Sequence, residues 1–258
     1  MPRIVSVHSF RGGTGKSNLT ANLLALIAQA GYRVGVIDTD IQSPGIHVLF
    51  GLDEKKMDRA LNDYLWGKCA IEDTAYDVSP IIHVGKGEIA LMSGGVYLVP
   101  SSIKAGELTR VLREGYDVGT LNDGFRKLIT GLDLDYLLID THPGLNEETL
   151  LSLAISDTLV IMIRPDQQDF QGTAVTVEVA RKLDVPRILM VVNKALPEFN
   201  FAELGQEVEK AYQVPVAGVL PLSPDMVRLA SRGVFALEYP NHPMTQTLKE
   251  IANSVMAG

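Results

Sequence analysis

Residues 3–31 run from a β-branched strand, RIVSVHS, through a glycine-rich turn, FRGGTGKS, into an apolar helix, NLTANLLALIAQAG. This strand–turn–helix start constrains the fold more than any other feature. The helix repeats apolar residues at Leu19, Leu23, Leu26 and Ile27 and stops at Gly31. The alternation then continues. Strands are expected at 33–40, 135–141, 157–165, 187–194 and 215–221, with helical segments between them. Near-continuous apolar strands of this kind belong to a parallel sheet covered on both faces. The expected fold is α/β: one doubly wound, mostly parallel sheet with helices on both faces, and a single domain over 1–258. Between 52 and 134 the pattern is less regular. It offers a helix in MDRALNDYLWG, an irregular stretch at 70–87, a strand-like EIALM, then VYLVPSS and helices near 104–114 and 117–130.

Composition narrows the class. Apolar residues make up 46% and charged residues 21%, as in an ordered globular chain. No apolar run approaches the roughly 20 residues that span a bilayer. The opening MPRIVSVHSF lacks the layout of a secretory leader, and Cys69 is the single cysteine, so a cytoplasmic location without disulfides is expected. A net charge of −8 disfavours a generally basic nucleic-acid binder but leaves room for a local basic patch. The five histidines and one cysteine show no metal-ligand spacing.

Three stretches carry chemistry. In the turn, Gly12, Gly13 and Gly15 let consecutive N–H groups face one point, and the following helix adds its positive end. Lys16 would reach the β- and γ-phosphates of a nucleotide and the Ser17 hydroxyl would ligate Mg²⁺. A glycine turn that binds nothing is the weaker reading. The second stretch, VIDTDIQSPG, ends a strand in Asp38 and Asp40, at the sheet edge where α/β folds bind ligands. Two such aspartates also merely end strands and cap helices. The third, LDYLLIDTHPG, ends a strand in Asp140, placed to reach a Mg²⁺ shell. His142 in the next loop reads as structural in preference to a catalytic base.

Loop, IDTDIQSPG and LLIDTHPGL together resemble, in order and spacing, the ParA/MinD family of deviant Walker A ATPases, and the likeness continues through VIMIRPDQQD, VVNK and VLPLSPDMVRLASRG. The resemblance implies an ATPase that uses ATP/ADP and Mg²⁺ and forms an ATP-dependent homodimer with two ATP molecules in the interface. It also implies an activating partner protein that stimulates hydrolysis. Carried over, Gly12, Gly13, Thr14, Gly15, Lys16, Ser17 and Asn18 hold the nucleotide, with Ser17, Asp40 and Asp140 around the metal. Asp40 orients water, Asn193 faces the base, Pro221 walls it, and Asp225 belongs to the same loop. Two positions depart from pattern. Phe10 stands where a strict P-loop has glycine, which this family does not require. Arg11 stands where the family has the lysine that crosses to the partner's nucleotide; it keeps the charge and adds a planar donor fork.

A role in positioning or partitioning a cargo follows from the resemblance, with nonspecific DNA preferred to membrane as the surface. Arg181, Lys182 and Arg187, or Arg228 and Arg232, are the candidate basic residues. The C-terminal helix, with Met244, Leu248, Ile251, Ala252 and Val255 on one face, reads as core packing and not as a membrane-seeking segment. Two alternatives stand beside this role. One is a metal-centre-linked ATPase of the metallochaperone or reductase type, for which the lone Cys69 is a poor fit. The other is a nucleotide-binding regulator with little hydrolysis.

Overall fold

A computed structural model describes residues 1–53, 55–83 and 95–257. Its strands are β1 (Arg3–His8), β2 (Val34–Asp38), β3 (Tyr76–Asp77), β4 (Val96–Val99), β5 (Tyr136–Asp140), β6 (Thr158–Ile163), β7 (Ile188–Ala195) and β8 (Val216–Pro221). They form one sheet in the order β3-β4-β2-β5-β1-β6-β7-β8. All neighbours pair in parallel except β3, which meets β4 antiparallel at the edge. The helices in the first half are α1 (Lys16–Gln29), α2 (Ile46–Leu49), α3 (Leu61–Leu65), α4 (Ser79–His83), α5 (Ala105–Glu114) and α6 (Val118–Gly131). Those in the second half are α7 (Glu147–Ala154), α8 (Gln167–Lys182), α9 (Phe201–Tyr212), α10 (Pro224–Leu229), α11 (Phe235–Glu238) and α12 (Pro243–Met256).

Strand alternation divides the core. In β5, Tyr136 and Leu138 pack with α1, α11 and α12, while Leu137 and Ile139 pack with α3 and α6 on the other face. In β6, Val160 and Met162 join the first group, and Leu159, Ile161 and Ile163 pack with α8 and α9. Successive side chains point to opposite faces, so a strand buried on both must be apolar throughout. This is why the strands read as unbroken hydrophobic runs. Met244, Leu248, Ile251, Ala252 and Val255 of α12 are all buried in the α1 face, which accounts for the amphipathic C-terminus.

Where structure and expectation differ, the elements are short. The strand read at 33–40 stops at Asp38, whose carboxylate turns back to accept the N–H groups of Asp40 and Gly45. The stretch 70–87 holds a 3₁₀ turn at Glu72–Thr74, β3 and α4, none long enough to show a period. EIALM lies outside the described residues. None of the described helices is long and apolar enough to cross a membrane.

Candidate functional site

The chain fills the sheet outward from β1 in both directions, with β5 on one side and β6 on the other. Ligand crevices form at such reversals, beyond the carboxyl ends of the strands. The glycine turn emerges there. Gly13 and Gly15 have φ of 74° and 103°, left-handed values that favour glycine. At Gly15 a Cβ would also lie 2.7 Å from Nδ2 of Asn193. The turn is tied to β7, where a register shift falls between Val192 and Ala195. Within that irregularity Asn193 Nδ2 donates to the Thr14 carbonyl at 2.7 Å and Lys194 Nζ to the Gly13 carbonyl at 2.7 Å. The first-turn N–H groups of α1 have no intrahelical acceptors and suit phosphate oxygens.

Ser9, at the end of β1, holds the loop from beneath. Its Oγ accepts from Lys16 Nζ at 3.1 Å and Thr14 Oγ1 at 3.0 Å, and donates to the Arg11 carbonyl at 2.6 Å. Lys16 is only 7% exposed. Burial lowers its ammonium pKa, opposed by Asp140, Asp40 and Asp38. Sequence reading missed both Ser9 and Lys194. Serine before a glycine turn carries no distinctive spacing, and the β7 irregularity has no sequence mark.

The carboxylates come from two adjacent strands. Asp38 and Asp140 are register partners, and both are buried. Burial, then the neighbouring carboxylates Asp140 and Asp40, raise the Asp38 pKa. Burial pushes Asp140 up to about 6, against hydrogen bonds from Ser17 and Thr20 and the charge of Lys16. Thr20 Oγ1 donates to Asp140 Oδ1 at 3.2 Å. A serine hydroxyl beside a buried carboxylate short of positive charge is a hard oxygen donor set that fits Mg²⁺, and a divalent cation would favour the charged carboxylate. Asp40 is held differently: its Oδ1 lies 2.7 Å from His142 Nδ1 and accepts the Ser43 N–H at 3.2 Å.

Two adjoining cavities share Gly13, Gly15 and Asn18. The smaller, about 260 Å³, is walled by Lys16, Ser17, Asp40, Ser43, His142 and Pro143. The larger, about 410 Å³, is mainly apolar and lies between Met162, Asn193, Pro221, Val227, Met244 and Leu248. Together they match a phosphate end and a base end. Of the expected residues, Gly12, Gly13, Gly15, Lys16, Ser17, Asn18, Asp40, Asn193 and Pro221 line one cavity or the other. Thr14 is buried under the loop and Asp140 behind Ser17.

Asp225 departs from expectation. It lines neither cavity, because its carboxylate pairs with Arg228 Nη1 at 2.7 Å and faces His242 at 3.5 Å. Arg11 bonds through Nη1 to Gln168 Oε1 at the start of α8. Phe10 packs on Gly172 of the same helix, occupying the space a side chain there would need. His8 ends β1 with Nδ1 2.8 Å from Thr141 Oγ1, a hydroxyl that itself donates to the Val7 carbonyl. Nδ1 therefore carries the hydrogen, and the buried Nε2 has no partner among the described residues. Burial, helped by Lys16, pushes His8 down to about 3, so the ring is neutral.

A strand–glycine turn–helix at the reversal of a parallel sheet, with paired carboxylates on the neighbouring strands, defines a P-loop NTPase. A family model described as ParA, the NUBPL iron-transfer P-loop NTPases, matches residues 1–256, and the chain belongs to that family. It is 29% identical over 251 residues to an uncharacterized ATP-binding protein of Methanocaldococcus jannaschii, covering 96% of this chain and 85% of the relative. It is 31% identical over 191 residues to the cytosolic Fe-S cluster assembly factor CFD1 of Chaetomium globosum, covering 74% and 57%. In fold it is similar to the septum site-determining protein MinD of Pyrococcus horikoshii, solved with Mg-ADP, at a TM-score of 0.79. That match has 22% identity and covers 100% of this chain and 98% of the other.

These findings shift the weight among the expected functions. The positioning role draws no support from the family description or the assembly-factor relative, and the metal-linked alternative does. Each candidate basic residue has a partner within the chain. Arg181 bonds the carbonyls of Tyr212 and Gln213, Lys182 pairs with Glu178, and Arg187 bonds the Val255 carbonyl. Arg228 pairs with Asp225, and Arg232 bonds the carbonyls of Leu229 and Arg228.

Proposed function

We propose that this chain is an Mg-ATP-dependent ATPase of metal-centre assembly that acts on a metal-holding partner and carries no cluster on its own cysteine. One observation supports it above the rest: a complete nucleotide edge in a member of the iron-transfer family that has one cysteine, Cys69. An iron–sulfur cluster takes about four thiolates. A homodimer of this chain supplies two. Cys69 follows α3 and lines neither nucleotide cavity, and burial raises its thiol pKa. No group of three His, Cys, Asp or Glu suited to a metal occurs among the described residues. The residues do not fit a resident cluster, and no step is drawn through one.

In this reading the turn from Gly12 to Asn18 wraps the phosphates and Lys16 meets the β- and γ-oxygens. Ser17, Asp140 and Asp40 would hold Mg²⁺, which when bound would draw charge from the phosphate oxygens. Asp40 orients the attacking water. Asn193 and Pro221 border the base. ATP closes a homodimer, for which Arg11 leaves Gln168 to reach the partner's nucleotide, and an activating protein speeds hydrolysis. The likeness to a cytosolic assembly factor supports a cytoplasmic location.

Deletion of the gene in its own host, followed by assays of iron–sulfur enzymes, tests this. Their activity should fall and return with the native gene or Cys69→Ser, and fail to return with Lys16→Ala. No change on deletion, or a Cys69→Ser gene that cannot restore activity, would overturn the reading.

A further inference from the structure

Of the titratable residues that line the small cavity, Lys16, Asp40 and His142, the nucleotide scheme above leaves His142 without a task. We infer that His142 is a positioning residue for hydrolysis: it sets the rotation of the Asp40 carboxylate so that one oxygen is held and the other faces the phosphate cavity. The inference rests on the ATPase reading above.

Asp40 follows β2 and His142 follows β5, 102 positions apart, yet Nδ1 and Oδ1 stand 2.7 Å from each other. The carboxylate only accepts, so Nδ1 carries the hydrogen. The same Oδ1 also accepts the Ser43 N–H at 3.2 Å. Two donors on one oxygen leave Oδ2 without a protein donor among the described residues, in the wall of a cavity that also holds Lys16 and Ser17. A carboxylate on an exposed loop rotates freely about its last bond, and a water-orienting group that rotates loses most of its effect.

The histidine is itself anchored. Thr149 Oγ1 donates to the His142 carbonyl at 3.3 Å, and the Thr149 N–H is held by the Asn146 side chain that caps α7. The His142 ring is 24% exposed and the Asp40 side chain 17%, so the pair is shielded but borders the cavity. The effect is to join the loop after β2 to the loop after β5 at one bond. A histidine meant only to fill space would not need a hydrogen bond to the one carboxylate that faces the phosphates.

Steady-state hydrolysis of Mg-ATP by native protein, His142→Ala, His142→Asn, Asp40→Ala and the His142→Ala/Asp40→Ala double variant tests this, with binding of a fluorescent ATP analogue measured beside it. His142→Ala should lower kcat by roughly 10- to 100-fold, with KM and analogue affinity within about threefold. His142→Asn, whose amide can stand where Nδ1 stood, should recover most of that loss. The double variant should be no slower than Asp40→Ala, because the histidine acts through the aspartate. Native-like kcat in His142→Ala, an equal defect in His142→Asn, or losses that multiply in the double variant would each overturn the positioning role while the ATPase reading stands. No turnover by native protein would overturn both.

Discussion

The two ends of the nucleotide cleft are built on opposite principles. The phosphate end sets Lys16 and Asp40 in the wall of a small cavity, with Asp38 and Asp140 buried beside them. The base end is a larger apolar space between Met162, Val227, Met244 and Leu248. At the first, burial works against the charges and raises the pKa of both Asp38 and Asp140. At the second, burial of apolar walls is itself favourable. The phosphate end is therefore held in an unfavourable electrostatic state that a bound divalent cation would relieve, and the base end is an apolar slot.

Breaking the phosphate end should give the largest effects. Lys16→Ala is expected to reduce ATP turnover by about 10²-fold or more, since it removes the buried cation facing the transferring phosphate. A phosphate-release assay checks this. Asp140→Asn sharpens the contrast by separating stability from function. The folded pKa of about 6 lies above the ordinary 3.8, so the protein binds the proton more tightly when folded. The carboxylate's penalty is thus absent below about pH 4 and complete above about pH 6. In metal-free protein at pH 7.5, Asp140→Asn should raise stability by up to about 3 kcal/mol, at about 1.4 kcal/mol per pKa unit. The gain should shrink toward zero near pH 4, which denaturant titrations at the two pH values would show. A variant that is less stable at pH 7.5 would contradict the stored-charge account.

At the base end the effects should be smaller. Asn193→Ala removes the bond to the Thr14 carbonyl and should weaken nucleotide binding by about tenfold, roughly 1–1.5 kcal/mol, with kcat little changed. Calorimetry separates the two. Asp225→Ala breaks partly exposed contacts with Arg228 and His242, so stability and nucleotide affinity should both stay within about 0.5 kcal/mol. A tenfold affinity loss there would return Asp225 to the nucleotide site.

The same contrast explains what could be read from the sequence. The phosphate end is written as contiguous motifs, because a turn that wraps phosphate needs glycines and a lysine at fixed spacing, and strand ends place Asp38 and Asp140 beside it. The base end draws on α1, β6, β7, α10 and α12, segments up to 230 residues apart, and only Asn193 and Pro221 stood out. Its apolar walls are indistinguishable in sequence from core. Asp225 lines neither cavity for a related reason: the loop after β8 is recognisable, but which of its side chains turns inward depends on α10, whose Arg228 pairs with the carboxylate. The sheet itself was legible because two-sided burial makes its strands continuously apolar. The two-residue β3 and the four-residue α2 were not, being shorter than any period they could display.

The most direct test is the thermal melt of the native protein alone, with ATP in excess chelator, and with Mg-ATP. A ligand at 100 times its Kd stabilises by about 2.7 kcal/mol. The account predicts a clear rise in Tm with Mg-ATP and a markedly smaller one with ATP alone, because only the metal meets the charge held at Asp140. Equal melting with and without Mg-ATP, or equal stabilisation by ATP in chelator, would contradict it.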